Sequence, residues 1–272
     1  MPILAIHDLS CYSKSSLTVV LPVLEALGVE TAVLPTALLS TQTDGFDDIY
    51  IQNEDEAMGE ILNRFFSLHL SFDGIYSGFL ASASVIERVL SLISASSALA
   101  LVDPVMGDDG KLYQTVDEEL CSAMFRLVRK ADIITPNFTE AMILTQMDDG
   151  FRPQGQKAIR DQIAVLRSLG PAKGVITGIP LQVGGLGNAA WDGNEIRLFQ
   201  YPDIHASYPG AGDLFASLLF GLVMKGNNFF ASVSYATNIA TYTVSESKRL
   251  GRERRNGVLL SPAMDEIRRK ML

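Results

Sequence analysis

The chain has 272 residues, 47% of them hydrophobic and 19% charged, with a formal net charge of −9. That length supports a sizeable core in a single globular domain over residues 1–272, and the composition excludes a disordered chain. The acidic balance argues against nucleic acid or an anionic membrane as partner; with no run of ~18 apolar residues and no leader-like start, the chain reads as cytoplasmic.

Short apolar runs alternate with stretches of helical spacing, the pattern of an α/β domain on a mostly parallel sheet. Ile3 to Ile6 is the first buried-strand candidate, followed by a polar loop. Leu17, Val20, Leu21, Leu24 and Leu27 then recur at helical spacing, with Gly28 as a C-terminal cap and Pro22 as a kink or first-turn residue. Further strands are expected at Thr31 to Leu34, Gly74 to Tyr76, Ala98 to Val102, Ile133-Ile134 and Val175-Ile176. Helices are expected at Ser84 to Ile93, Cys121 to Val128, Thr139 to Leu144 and Ile163 to Leu169. Leu181 to Gly184, Ala189 to Trp191 and Ile196 to Phe199 differ: Asp192-Gly193-Asn194 is a hairpin signal, so these are expected as antiparallel strands at the sheet edge. The last ~60 residues are helical, with apolar faces at Leu214/Leu218/Leu222 and Val233/Ala236/Ala240.

The most informative stretch is Pro209-Gly210-Ala211-Gly212-Asp213, which opens an apolar helix. Glycines allow close approach of a ligand, and a helix N-terminus favours an anion such as phosphate. Asp213 on the first turn could accept a proton from a substrate hydroxyl. Taken alone, the stretch is equally readable as a glycine-rich turn before an acidic helix start. Two other glycine-rich stretches imitate nucleotide motifs and fail on chemistry. Gly150-Phe151-Arg152-Pro153-Gln154-Gly155 has Gln156 where a P-loop needs lysine, and Gly185-Leu186-Gly187-Asn188-Ala189-Ala190 precedes a hairpin pattern instead of a helix. Lys248, Arg249, Arg252, Arg254 and Arg255 read as a solvated helix end or loop. Cys11 and Cys121 are too few for a disulfide framework and read as reduced thiols.

Polar residues just after strand candidates sit where open α/β sheets collect ligands. They are His7-Asp8-Leu9-Ser10, Thr41-Gln42-Thr43, Asp103-Pro104-Val105-Met106-Gly107-Asp108, Thr135-Pro136-Asn137-Phe138-Thr139-Glu140 and Thr177-Gly178. His7 itself reads as a satisfied structural histidine. Asp103 could be a turn former and Asn137 and Glu140 a helix cap, although their co-occurrence with the glycine-rich turn favours a functional role.

In this order and spacing, the Asp-Pro-Val-Met-Gly-Asp, Thr-Pro-Asn…Glu and Gly-Ala-Gly-Asp runs resemble the pyridoxal (pyridoxamine) kinase family of the ribokinase-like superfamily, which also holds hydroxymethylpyrimidine kinases. The resemblance spans nearly the whole chain. It implies a three-layer α/β fold with a mostly parallel central sheet flanked by helices and antiparallel edge strands. The implied reaction is ATP-dependent phosphorylation of the 5′-hydroxymethyl group of pyridoxal, pyridoxine or pyridoxamine in vitamin B6 salvage. By resemblance, Asp213 is the general base and Gly210, Ala211 and Gly212 form the anion hole. Ser10, Thr43 and Phe79 match substrate-binding positions; Asp108, Thr135, Thr177 and Gly178 match positions near the ATP phosphates; and Asp103, Asn137 and Glu140 match the Mg²⁺ site. The segment around Asp108, flanked by glycines, resembles one that closes over the phosphates. The resemblance also leaves room for a monovalent cation and implies a homodimer. The glycine pair of sugar-kinase relatives is replaced by Ser13-Lys14-Ser15-Ser16, which weakens a sugar substrate. Two alternatives stand beside this reading: a hydroxymethylpyrimidine kinase of thiamine biosynthesis, and a non-catalytic pyridoxal or nucleotide sensor.

Overall fold

The apolar run at Ile3 to Ile6 continues as a strand far beyond its last aliphatic residue, and β1 covers Ile3–Tyr12. The computed structural model that shows this describes residues 2–147, 155–182 and 184–271. It comprises two units by internal contact, Met1–Ala81 with Ile204–Leu272, and Ser82–Asp203.

In the first unit β1 is followed by α1 (Leu17–Ala26), β2 (Thr31–Thr41), β3 (Ile51–Asn53), α2 (Asp55–Ser67) and β4 (Gly74–Ser77). The strands lie in the order β4-β1-β2-β3, the first three parallel and β3 antiparallel on β2. The polar loop expected after Ile6 is therefore strand. β2 runs on to Thr41 and pairs with β1 as far as Tyr12, with a bulge between His7 and Leu9, so ladder hydrogen bonding overrides residue polarity. The consequence is that His7, Asp8 and Ser10 are carried into the interior, at 0, 3 and 1% exposure. Ile3, Leu4, Ala5 and Ile6 are fully buried, as expected of a strand covered on both faces. Ile3, Leu4 and Ile6 each contribute about 1.5–3 kcal/mol of burial. Pro22 lies inside α1, and Gly28 follows its end at φ 72, as expected of a cap.

The second unit runs α3 (Ala83–Ala95), β5 (Leu99–Val102), the hairpin β6 (Gly107–Asp108) and β7 (Lys111–Leu112), α4 (Glu118–Val128), β8 (Ile133–Ile134), α5 (Phe138–Thr145), α6 (Gln156–Leu169), β9 (Lys173–Pro180), β10 (Leu186–Asp192) and β11 (Glu195–Tyr201). Its strands are ordered β11-β10-β9-β8-β5, with β5, β8 and β9 parallel and β10 antiparallel to both β9 and β11. Antiparallel edge strands on a mostly parallel sheet are thus present. Leu181, Gln182 and Gly184 are not in the expected strand: Gly184 donates to the Leu181 carbonyl (3.1 Å) between β9 and β10, and Val183 lies outside the described residues. The local reason is a reversal that needs Gly184 and Gly185 at φ 86 and 79. The run Gly187 to Ala190 lies within β10, in keeping with its rejection as a dinucleotide motif. Gly150 to Gln154, the rejected P-loop imitation, lie outside the described residues.

The chain then completes the first unit with α7 (Ala211–Met224), α8 (Phe229–Arg249), a 3₁₀ turn (Arg254–Asn256) and α9 (Ser261–Met271). The basic cluster is more than a solvated face. Lys248 bonds the Ile204 carbonyl (2.6 Å), Arg252 the carbonyls of Asn256 (2.6 Å) and Gly257 (3.0 Å), and Arg254 pairs with Asp44. Arg255 lies over Phe46, 5.8 Å from its centroid. These contacts tie the 252–257 segment to the loop after β2, and Ser13 Oγ adds a bond to the Arg255 carbonyl (2.8 Å).

Candidate active site

In the first unit the chemistry gathers around the N-terminus of α7. Gly210 is its N-cap at φ 84, and a Cβ there would lie 2.4 Å from the Lys14 carbonyl, so only glycine fits. A Cβ on Gly212 would meet nothing within 4 Å, which leaves that backbone open to approach. First-turn N–H groups have no intrahelical acceptor, although that of Ala211 reaches the Tyr208 carbonyl at 3.2 Å.

Asp213 sits on this first turn, and its Oδ2 accepts the backbone N–H of Ser16 at 2.8 Å. Ser16 is held at φ 46, ψ −130, a conformation that a non-glycine residue rarely adopts. Its side chain bonds Asp8, whose Oδ2 also accepts the Ser10 hydroxyl at 2.9 Å. A chain Ser10, Asp8, Ser16, Asp213 therefore links β1 to the start of α7. Burial raises the Asp8 carboxyl, opposed by the Ser16 and Ser10 hydroxyls. Burial likewise raises Asp213 to about 6; the Ser16 N–H works against this and the Asp8 charge adds to it. Near neutrality such a carboxylate is ionised yet basic enough to take a proton.

His7 lies beside this chain, fully buried, with Nδ1 3.9 Å from Asp213 Oδ1. Burial lowers its pKa to about 3, so the ring is neutral and the contact is neither an ion pair nor, at that length, a hydrogen bond. It is not the satisfied histidine expected from sequence. Neither ring nitrogen has a hydrogen-bond partner among the described residues. The ring stands edge-on to Tyr76 at a centroid distance of 4.4 Å, and a Cβ on Gly78 would lie 2.3 Å from its Nδ1.

Of the expected substrate-binding residues, Ser10 joins this group, with its hydroxyl committed to Asp8. Thr43 is exposed on the loop after β2, and half-buried Phe79 follows β4, its carbonyl accepting the Thr36 hydroxyl at 3.0 Å. Among the described residues no hydrogen bond ties either side chain to the Asp213 group. Asp8 and Ser16 were given no role from sequence. Asp8 offered one signal, an acidic residue directly after an aliphatic strand; the geometry of Ser16 offered none.

In the second unit a different set converges. Asn137 N-caps α5 in a capping box: its Oδ1 accepts the Glu140 N–H (2.8 Å) and Glu140 Oε2 accepts the Asn137 N–H (2.8 Å). Glu140 Oε1 accepts the Met106 N–H (3.1 Å), and Asn137 Nδ2 donates to the Gly107 carbonyl (2.7 Å). The cap reading and the site reading of these residues therefore coincide in one place. Burial, followed by the Asp103 charge, raises Glu140 well above the usual carboxylate range. Asp103 directly follows β5 and is 8% exposed.

Asp108 is exposed on the β6–β7 hairpin, whose turn residues Asp109 and Gly110 have φ 51 and 77 as a type I′ turn requires. Gly110 donates to Thr139 Oγ1 (2.9 Å), so this glycine-flanked segment is a hairpin bonded to α5. Thr135 is 4% exposed, and its hydroxyl has no partner among the described residues. Thr177 bridges to Asn137, and the Gly178 N–H is held by Asn188 Oδ1 (3.1 Å).

Known proteins share the sequence and fold of this chain. A phosphomethylpyrimidine kinase family model matches residues 21–258. Pyridoxal kinase from Arabidopsis thaliana is 30% identical over 242 residues, covering 80% of this chain and 75% of the relative. A Bacteroides thetaiotaomicron protein provisionally named a phosphomethylpyrimidine kinase has been solved in two crystal forms. The rhombohedral form is 31% identical with a TM-score of 0.92, covering 98% of this chain and 93% of that one. The orthorhombic form, which holds pyridoxal, is 30% identical with a TM-score of 0.87, covering 98% and 95%. Pyridoxal kinase from Lactobacillus plantarum is 28% identical with a TM-score of 0.91, covering 98% and 96%. With its mixed α/β architecture and these matches, the chain belongs to the pyridoxal kinase family of the ribokinase-like superfamily and is a kinase.

Proposed function

We propose that this chain, acting as one kinase domain over residues 1–272, transfers the γ-phosphoryl group of ATP to the 5′-hydroxymethyl group of a B6 vitamer, pyridoxal, pyridoxine or pyridoxamine. The observation that carries the reading is Asp213, a partly buried carboxylate with its pKa near 6 on the first turn of a helix whose glycine N-cap leaves backbone open to an anion. Asp213 takes the proton of the hydroxymethyl group, and the backbone of Gly210, Ala211 and Gly212 stabilises charge on the transferred phosphoryl group. Ser10, Thr43 and Phe79 orient the pyridine ring, Phe79 by stacking and the hydroxyls by hydrogen bonds to its polar edge. Ser10 does so by exchanging or sharing its bond to Asp8.

The second unit supplies the nucleotide and metal residues. Thr135 carries a buried hydroxyl without a partner among the described residues, which a phosphate oxygen would satisfy. Thr177, Gly178 and Asp108 complete that set. Two buried carboxylates close enough for Asp103 to raise Glu140 fit a divalent cation, whose charge offsets their repulsion. No group of three His, Cys, Asp or Glu gathers among the described residues. That donor set fits Mg²⁺, which keeps several waters, and Asn137, with most of its capacity spent in the capping box, reaches the ion through water. When bound, Mg²⁺ neutralises phosphate charge. No helix among the described residues is long and apolar enough to cross a membrane, and the proposed working form is a cytoplasmic homodimer.

The relevant test compares kcat/KM for the three vitamers and for hydroxymethylpyrimidine, with ATP and Mg²⁺. We expect at least one vitamer to lead; a higher value for the pyrimidine would reassign the chain to thiamine biosynthesis, a reading favoured by the name of the matching family model. Binding without turnover of any of them would favour a sensor.

A further inference from the structure

The group left unexplained is His7, a fully buried imidazole with two nitrogens unpartnered among the described residues, beside Asp213. A buried polar group without a partner is costly and calls for a reason. The surroundings of His7 fix the ring without satisfying it. Tyr76 meets it edge-on at 4.4 Å, and the bare backbone of Gly78 lies where any side chain would strike Nδ1 and Cε1. The carboxylate it faces is Asp213, with Nδ1 3.9 Å from Oδ1. The other Asp213 oxygen is already held by the Ser16 N–H at 2.8 Å.

We propose that His7 is a positioning residue for Asp213: its neutral imidazole carries the proton on Nδ1 and donates it as a hydrogen bond to Oδ1 in the working enzyme, so that Ser16 and His7 fix the carboxylate from two sides. Closing 3.9 Å to hydrogen-bonding length needs a movement of roughly 1 Å, well within what a substrate hydroxyl could induce. A carboxylate accepts about four hydrogen bonds, so two fixed donors leave room for the substrate hydroxyl. The tautomer follows from the surroundings, because a neutral imidazole places its proton toward the acceptor it has, and Nε2 has none among the described residues. Asp8 is the other acidic group acting on Asp213, and its charge opposes ionisation, whereas a His7 donor favours it.

This inference rests on Asp213 as the base, and two readouts separate its failure from failure of the kinase reading. The first needs no substrate. In the full chain with ¹⁵N-labelled histidine, His7 is assigned among three histidines by its disappearance in His7→Gln. We expect the Nδ1–H tautomer, with a signal that moves as Asp213 titrates and stops moving in Asp213→Asn. An Nε2–H tautomer at all pH values, or a signal indifferent to Asp213→Asn, overturns the pairing. The second readout is kinetic. His7→Leu should lower kcat on the order of 10-fold with KM little changed and move the acid limb of the pH profile upward; His7→Gln, which keeps a donor, should recover most of both. Unchanged kcat and acid limb in a folded His7→Leu, or equal losses in both variants, overturn the role. A wild-type chain that phosphorylates no vitamer overturns the B6 reading, while the tautomer still reports whether the pair exists.

Discussion

Two acidic centres, one in each unit, bury carboxylates in opposite ways. Glu140 spends both oxygens on backbone N–H groups, of Asn137 and Met106, and its partner Asn137 spends its amide on Glu140 and Gly107. Asp213 has a single strong donor, the Ser16 N–H, and faces an unbonded histidine across 3.9 Å. The first centre has a backbone donor on each carboxylate oxygen and holds a hairpin to a helix. The second has one donor, and its pKa of about 6 lets it exchange a proton near neutrality. The difference separates a carboxyl held on both oxygens by the backbone from one free to move a proton.

Substitutions that exchange these roles would break the comparison. The largest effect is expected from Asp213→Ala, with kcat falling ~10²-fold or more and ATP binding retained, as for loss of a general base. Steady-state kinetics with a nucleotide-binding assay would decide it, and unchanged turnover would remove Asp213 from the role. Glu140→Ala should weaken Mg²⁺ dependence and, in addition, cost about 2–3 kcal/mol in denaturant unfolding, because two N–H groups lose their acceptor. A loss under ~0.5 kcal/mol would mean that the bonds are readily replaced by water.

A smaller effect sharpens the contrast through pH. The folded pKa of Asp213, about 6, lies above its ordinary value of 3.8, so the stability it contributes is complete below pH 3.8 and is lost as the pH rises through 6. Asp213→Asn removes that loss. Relative to wild type, the variant should gain about 2 kcal/mol between pH 4 and pH 8, measured by thermal unfolding at both. A constant difference would contradict the raised pKa. The smallest effect should come from Arg254→Ala. Its ion pair with Asp44 is about half exposed, so the loss should stay below about 1 kcal/mol in denaturant unfolding and shrink further in salt.

The sequence made these centres unequally legible. Asn137 and Glu140 stand three apart after a short apolar strand, a local signal that a capping box satisfies within one turn, and Gly210 to Asp213 is likewise local. Most strands and helices were legible for the same reason, since short aliphatic runs and helical spacing are local patterns. The path from Ser10 through Asp8 and Ser16 to Asp213 was not: it joins positions about 200 apart, and its hinge is a strained serine that no propensity anticipates. The continuation of β1 through His7 to Tyr12 was missed because its support is pairing with β2 and not its own apolarity. β3 and α2 were not anticipated either, the strand because it is short and exposed, the helix because only Met58 and Leu62 are buried along it.

The most direct test of Asp213 as the base of a B6 kinase is the pH dependence of kcat for pyridoxal phosphorylation with ATP and Mg²⁺. We predict phosphorylated product, with a single acid limb near pH 6 that sets the rate below neutrality. Absence of product, or a rate that is flat from pH 5 to 7 while the protein stays folded, would contradict it.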